Sequence, residues 1–168
     1  MINQAGLMAL YDYNDYANRL LFDTIAQVNE ADLHREVSPS HDSIFQLLYH
    51  TLGVEYFFLS CCRDQPNRLA RDKFSSAADL RRDWLQLEVD RKAYLASTDD
   101  EALAQIIEVN FGAHQFQFPK WQVLTQAFVH STHHRGELSV VLTELGHPLP
   151  TLDIIVHFAK ASGQPWPW

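Results

Sequence analysis

The chain has 168 residues, of which 46% are hydrophobic and 20% charged, with six glycines and seven prolines. This is the composition of one globular domain over residues 1–168, long enough to bury a sizeable core, and it excludes a largely disordered chain. Thirteen basic residues against 21 acidic ones leave a formal charge of −8, which argues against nucleic acid and against an anionic membrane surface, because both recruit lysine and arginine.

No run of apolar residues is long enough to span a bilayer. The N-terminal stretch MINQAGLMALYDYND lacks the basic start and apolar run of a secretory signal, so the expected location is the cytoplasm. Cys61 and Cys62 are adjacent and the only cysteines. Neighbouring residues rarely reach disulfide geometry, so both read as free thiols of a reducing compartment.

Four long segments carry helical periodicity. The first runs from about Leu7 to Val28, with Leu7, Tyr11, Leu21, Phe22 and Ile25 on one face, and stops in the polar patch Asn29-Glu30-Ala31-Asp32. The capping residues and proline of Ser38-Pro39-Ser40-His41-Asp42-Ser43 announce a second helix reaching about Cys62, with Ile44, Leu47, Leu48, Val54, Phe57 and Phe58 inward. Residues 63–75 form a polar connection long enough to cross the bundle. A third helix opens at Ser75-Ser76 and continues to about Ala96, presenting Leu80, Trp84, Leu87 and Tyr94. Between residues 98 and 118, the partial alternation of IIEVNFGAHQFQF around Asn110-Phe111-Gly112 reads as a small hairpin or an extended excursion. The fourth helix begins after Pro119 and ends at Leu145-Gly146, with Pro148 and Pro150 beyond it. A short fifth begins at Asp153. The fold class is all-α: a four-helix bundle with a long crossover and a short C-terminal helix.

The chemistry concentrates in Val129-His130-Ser131-Thr132-His133-His134-Arg135-Gly136-Glu137. At about 100° per residue, side chains four apart diverge by only about 40°. His130 and His134 therefore share the core stripe of Val123, Ala127, Leu138, Val141 and Leu145, while His133 points to a flank. Such a pair is common by chance, and a buried histidine is often only a hydrogen-bonded core residue. His50 alters the balance, since it stands on the second helix's own stripe of Leu47, Val54, Phe57 and Cys61. Burying three separate imidazoles costs desolvation three times; gathering them on one divalent cation removes that cost. Three protein nitrogens with open positions make a catalytic or substrate-binding centre, whereas structural zinc is closed by four ligands.

The other helices add polar residues to the same interior: Tyr11, Asn14 and Asn18 on the first, Arg91 on the third. They read as pocket lining, with Arg91 positioned to pair with a substrate carboxylate. Each also has a plainer reading, in which the asparagines satisfy nearby backbone and the arginine reaches to the bundle end. Glu137, one heptad after His130, reads either as a group orienting that ligand's free ring nitrogen or as a solvated rim carboxylate.

The segments YDYNDYANRLL, SIFQLLYHTLGVEYFFL, HSTHHRGEL and GHPLPTLDIIVHF together resemble the DinB/YfiT family of metal-dependent proteins over nearly the whole chain. The family usually has glutamine at the position of Glu137. The resemblance implies a four-helix bundle with a long crossover, often a homodimer, and a metal held by His50, His130 and His134. Relatives include S-transferases that use bacillithiol, mycothiol or glutathione, and a maleylpyruvate isomerase. The expected activity is therefore a metal-dependent S-transferase. It would join a low-molecular-weight thiol to a small-molecule electrophile, with zinc or nickel as the ion and ferrous iron also able to take three imidazoles. The alternatives are a dimer that binds a metal or small ligand without turnover, and a metal-dependent hydrolase. Hydrolysis ranks lower because the chain has no general-base motif of the His-Glu-x-x-His kind.

Overall fold

The computed structural model describes residues 1–166. Four long helices form the bundle: α1 (Gln4–Ile25), α3 (Ile44–Cys62), α4 (Ala77–Ser97) and α6 (Lys120–Glu144), joined by the one-turn helices α2 (Glu30–His34) and α5 (Asp100–Ala104) and followed by α7 (Ile154–Ala161). Strands β1 (Ile106–Phe111) and β2 (His114–Pro119) pair antiparallel from Ile106 opposite Pro119 to Phe111 opposite His114. Among the described residues, no helix is long and apolar enough to cross a membrane. Cys61 and Cys62 are free and buried.

Local chemistry starts most of these elements. Asn3, Asn29, Ser43 and Asp99 each accept a backbone N–H from the first turn of α1, α2, α3 and α5, satisfying a donor that the helix itself leaves unpaired. At α4 the bond is reciprocal: Ser76 accepts from the Asp79 amide while the Asp79 carboxylate accepts from the Ser76 amide. The first helix starts about three residues earlier than its apolar face implies, because Asn3 caps it, and ends at Ile25 rather than Val28. The polar patch after it folds into α2, which buries Leu33. The 98–118 segment is α5 plus the hairpin. Gly112 opens the two-residue turn at φ 61°, the left-handed conformation that tight hairpins require of their first turn residue.

Side-chain bonds fix the helix directions. Arg19 reaches Glu88 and Gln4 reaches the Leu95 carbonyl, so α1 and α4 are antiparallel. Tyr11 donates to the Leu124 carbonyl and Arg135 donates to Asn18, so α1 and α6 run parallel. Cys62 at the end of α3 meets the Lys120 carbonyl at the start of α6. Those two helices therefore oppose each other, and α3 runs parallel to α4. A parallel pair cannot be joined by a tight turn, so residues 63–76 travel back along the bundle as the expected crossover.

The centre of the bundle is ionic. Asp15, Glu55, Arg91 and Arg135, together with Asn14, Asn18 and Ser131, are all buried. Arg91 donates to Glu55 at 2.7 Å and, through its other terminal nitrogen, to Asp15. Glu55 also accepts from Asn14 at 3.0 Å and from Ser131 at 2.5 Å. Arg135 donates to Asn14 at 2.6 Å and to Asn18 at 2.7 Å. Lys92 reaches Asp15 from the rim at 3.1 Å. The Arg91 guanidinium lies 4.3 Å from the centre of the Tyr11 ring. Removing one partner leaves the other charge buried and uncompensated. Replacing Arg91 by methionine should therefore cost about 3–5 kcal/mol of folding free energy in urea titration; a cost below about 1 kcal/mol would show that water already reaches Asp15 and Glu55.

Candidate metal centre

Midway along the α3–α6 contact the imidazoles of His50 and His130 meet, Nε2 to Nε2, at 2.9 Å. The His134 ring stands one helical turn from His130, with centroids 4.5 Å apart, and is perpendicular to His50 at 5.0 Å. The three rings chosen from their helical stripes thus lie side by side, and His133 is exposed beside them. The stripes bring these rings together because α3 and α6 are neighbours whose inward faces meet.

A fourth imidazole was not anticipated. His41 lies in the loop before α3, and one ring nitrogen from each of His41, His50 and His134 falls within 4.8 Å of the others. This loop is held by Glu137, which accepts from Ser38 Oγ at 2.6 Å and from the Ser40 amide and hydroxyl. Ser40 Oγ in turn contacts His41 Nδ1 at 2.8 Å, and Asp42 follows in the left-handed region at φ 59°. Read as a helix start signal, the Ser-Pro-Ser-His-Asp-Ser stretch offers no periodicity that would place His41. His41 is stacked on His50, with centroids 3.8 Å apart and planes 28° apart, and lone pairs lie in the ring planes. His50, His130 and His134 are inclined to one another at 52° to 89°. A second donor group, His133, His134 and Glu137, shares His134 but uses a carboxylate already engaged by two serines.

Glu137 serves His134 rather than His130: its carboxylate lies 3.3 Å from His134 Nδ1. Three residues apart on a helix are neighbours, while seven residues separate Cα atoms by about 10 Å. His130 Nδ1 is buried with no hydrogen-bond partner among the described residues.

The rings are electronically suited to a cation. Burial, with the neighbouring His41 and His134, pushes the His50 pKa down to about 4. Burial, with His134 and His50, does the same for His130. His134 is lowered by burial against the opposing pull of Glu137. Burial by itself would raise Glu137, but the hydrogen bonds from Ser38 and Ser40 outweigh it and hold the carboxyl at about 2. Neutral imidazoles beside an ionised carboxylate fit one divalent ion, because the ring lone pairs are free and a ligating histidine's other nitrogen typically finds such a partner.

The four residues expected to line the pocket do not line it. Tyr11, Asn14, Asn18 and Arg91 are buried, and the fork of Arg91 is filled by Asp15 and Glu55. Their stripe positions show that they face inward, but the buried acids that satisfy them come from other turns and helices. Glu55 carried a signal: it is the one acidic residue in the otherwise apolar or neutral α3. The cavity, about 740 Å³, instead extends from His50 and His130 between α3 and α6 toward the hairpin. Gly53, Val54, Phe57 and Phe58 form the α3 wall, and Val123, Gln122 and Gln126 the α6 wall. Phe111 and Phe118 close the hairpin end.

The DinB family model matches residues 1–164. No curated protein matches the chain. Among solved structures, the chain is similar to a DinB-like protein from Bacillus cereus ATCC 10987, with 18% identity and a TM-score of 0.72 over 89% of this chain and 97% of that one. It is also similar to the DinB-like protein YjoA from Bacillus subtilis, with 17% identity and a TM-score of 0.63 over 86% and 96% of the two chains. The chain belongs to the DinB family.

The lowered histidine pKa values set a pH dependence of stability. In the unfolded chain histidines titrate near 6.5, so between about 6.5 and about 4 the unfolded state binds protons that folded His50 and His130 refuse. Stability of chelator-treated protein should fall as pH drops through that window. Urea midpoints measured from pH 7 to 4 check this; a shallower profile in a variant lacking both His50 and His130 would assign the difference to these rings.

Proposed function

We propose that this DinB-family protein is a metal-dependent S-transferase, with one divalent ion, zinc or nickel, held by His50, His130 and His134. What supports the reading is the clustering of the imidazoles of His50, His130 and His134, with Nε2 of His50 2.9 Å from that of His130, at the end of a cavity that His50 and His130 line. The three donors come from only two helices, and α1 and α4 spend their buried polar groups on the central ion network, so a side remains for substrate. A divalent ion bound there supplies a Lewis acid that lowers the pKa of a thiol.

The chain's own residues do the rest. Glu137 orients His134 and ties the 38–41 loop to α6, so that His41 covers one face of His50. The phenylalanines of the cavity receive the apolar part of an electrophile and exclude water, which favours attack by sulfur over hydrolysis. The thiol gives its proton to solvent, its sulfur bonds to the electrophilic carbon, and the leaving group departs into solvent with the bonding pair. Hydrolysis is less well supported because Glu137, the carboxylate nearest the rings, is held at about 2 and already accepts from two serines, which makes it a weak base.

The same reading places the protein in the cytoplasm, where its two buried thiols stay reduced. It also makes the protein a homodimer, which would cover Val129 and Val140 on the outer face of α6, exposed at 52% and 60%.

Elemental analysis of untagged protein should find about one ion per chain. Alanine at His50, His130 or His134 should each lower occupancy at least about ten-fold, while alanine at His133 leaves it unchanged and alanine at His41 lowers it less than any of the three. Metal that survives all three helix substitutions would sink the assignment. Loaded protein should then conjugate a chlorodinitrobenzene-type electrophile with one of a panel of small thiols. Full metal occupancy with no turnover across the panel would favour the non-catalytic binding dimer.

A further inference from the structure

The cavity has two chemically different ends and a floor kept clear. Along α3, seven residues separate His50 from Phe57, about 10 Å of helix, and Gly53 lies between them. A Cβ built at Gly53 meets no atom within 4 Å. Glycine inside a helix is destabilising relative to alanine, and here no close packing or positive φ asks for it; the space it leaves belongs to the cavity. At the far end, Arg68 lays its guanidinium 4.1 Å from the centre of the Phe57 ring and donates to the Asn110 carbonyl of the hairpin at 3.4 Å. Arg68 is exposed and makes no ion pair among the described residues, although the chain carries a net charge of −8. Among the described residues, no carboxylate lines the cavity, and Arg68 is its one permanently charged residue.

We propose that the cavity binds an elongated, mainly apolar small acid, its body lying over Gly53 against Phe57, Phe58, Phe111 and Phe118, and its anionic group on Arg68. This names the class of substrate for the metal-dependent reading above and rests on it only for what happens at the histidine end. The aromatic walls supply area for the apolar body. Arg68, held by Phe57 and Asn110, presents its remaining N–H donors to a carboxylate or sulfonate without first breaking an ion pair. Gly53 sets how wide that body can be.

Isothermal titration of chelator-treated protein with 4-phenylbutyrate and with its neutral counterpart 4-phenylbutanol tests this without any metal. The acid should bind about ten-fold more tightly than the alcohol, and Arg68→Gln should bring the acid down to the alcohol's affinity. Gly53→Leu should abolish binding of both, whereas Gly53→Ala should raise the Tm by about 2–4 °C. Equal affinities for acid and alcohol, or an Arg68→Gln protein that still prefers the acid, would overturn the anion site. Unchanged binding in a folded Gly53→Leu protein, or no binding of either probe to the native chain, would overturn the cavity assignment. Should Gly53→Leu fail to fold, the exposed Arg68 position decides alone. Loss of the metal assignment in the elemental analysis leaves these binding results standing, and their failure leaves the metal result standing.

Discussion

Two arginines and two carboxylates, each from a different turn and together from all four long helices, must find one another in the middle of this bundle. Burying Asp15, Glu55, Arg91 or Arg135 without its partners would cost several kcal/mol, so the helices have very few alternative ways to pack. An apolar core of leucines tolerates sliding by a fraction of a turn, whereas a fork of hydrogen bonds does not. Burial raises the pKa of Asp15 and lowers that of Arg135, and the attraction of Glu55 and Asp15 overcomes it at Arg91, whose pKa is raised. At Asp15 and Arg135 the cost of burial thus outweighs the attraction, whereas at Arg91 the two facing carboxylates outweigh it.

The histidine centre inherits its geometry from that network. Ser131, bonded to Glu55, follows His130 immediately, and Glu55 lies five residues after His50 on α3. The bond that sets the register of α3 against α6 is thus within about one turn of both rings, and it brings their Nε2 atoms to 2.9 Å. A second clamp, from Glu137 to Ser38 and Ser40, fastens the entry loop of α3 to the same stretch of α6. The cavity opens on the side where neither clamp acts, between the helices and the hairpin, and the polar residues there are Gln122, Gln126 and Arg68 rather than buried acids.

Much of this was legible in the sequence, element by element. Capping residues, the Leu145-Gly146 stop and the apolar stripes located the four helices, and the length of residues 63–75 foretold a crossover, because these signals are local in the chain. That His50, His130 and His134 lie near one another was legible for the same reason: each sits on the apolar face of a long helix, and faces that must be buried meet. The roles of Tyr11, Asn14, Asn18 and Arg91 were not, since facing the interior is a property of one helix whereas facing a cavity depends on what the other helices bring.

His41 shows the limit most clearly. Its position depends on a carboxylate 96 residues away in the chain, Glu137, and on a loop whose Asp42 adopts a left-handed conformation, and neither leaves a periodic trace. The sequence by itself determined which helices form and which of their faces are buried, because hydrogen-bond capping and amphipathic spacing act over a few residues. Tertiary structure alone decided that the buried polar residues neutralise one another, that the free space lies beside the hairpin, and that Gly53 and Arg68 line it. Charge pairing and empty volume are properties of side chains brought together from distant parts of the chain.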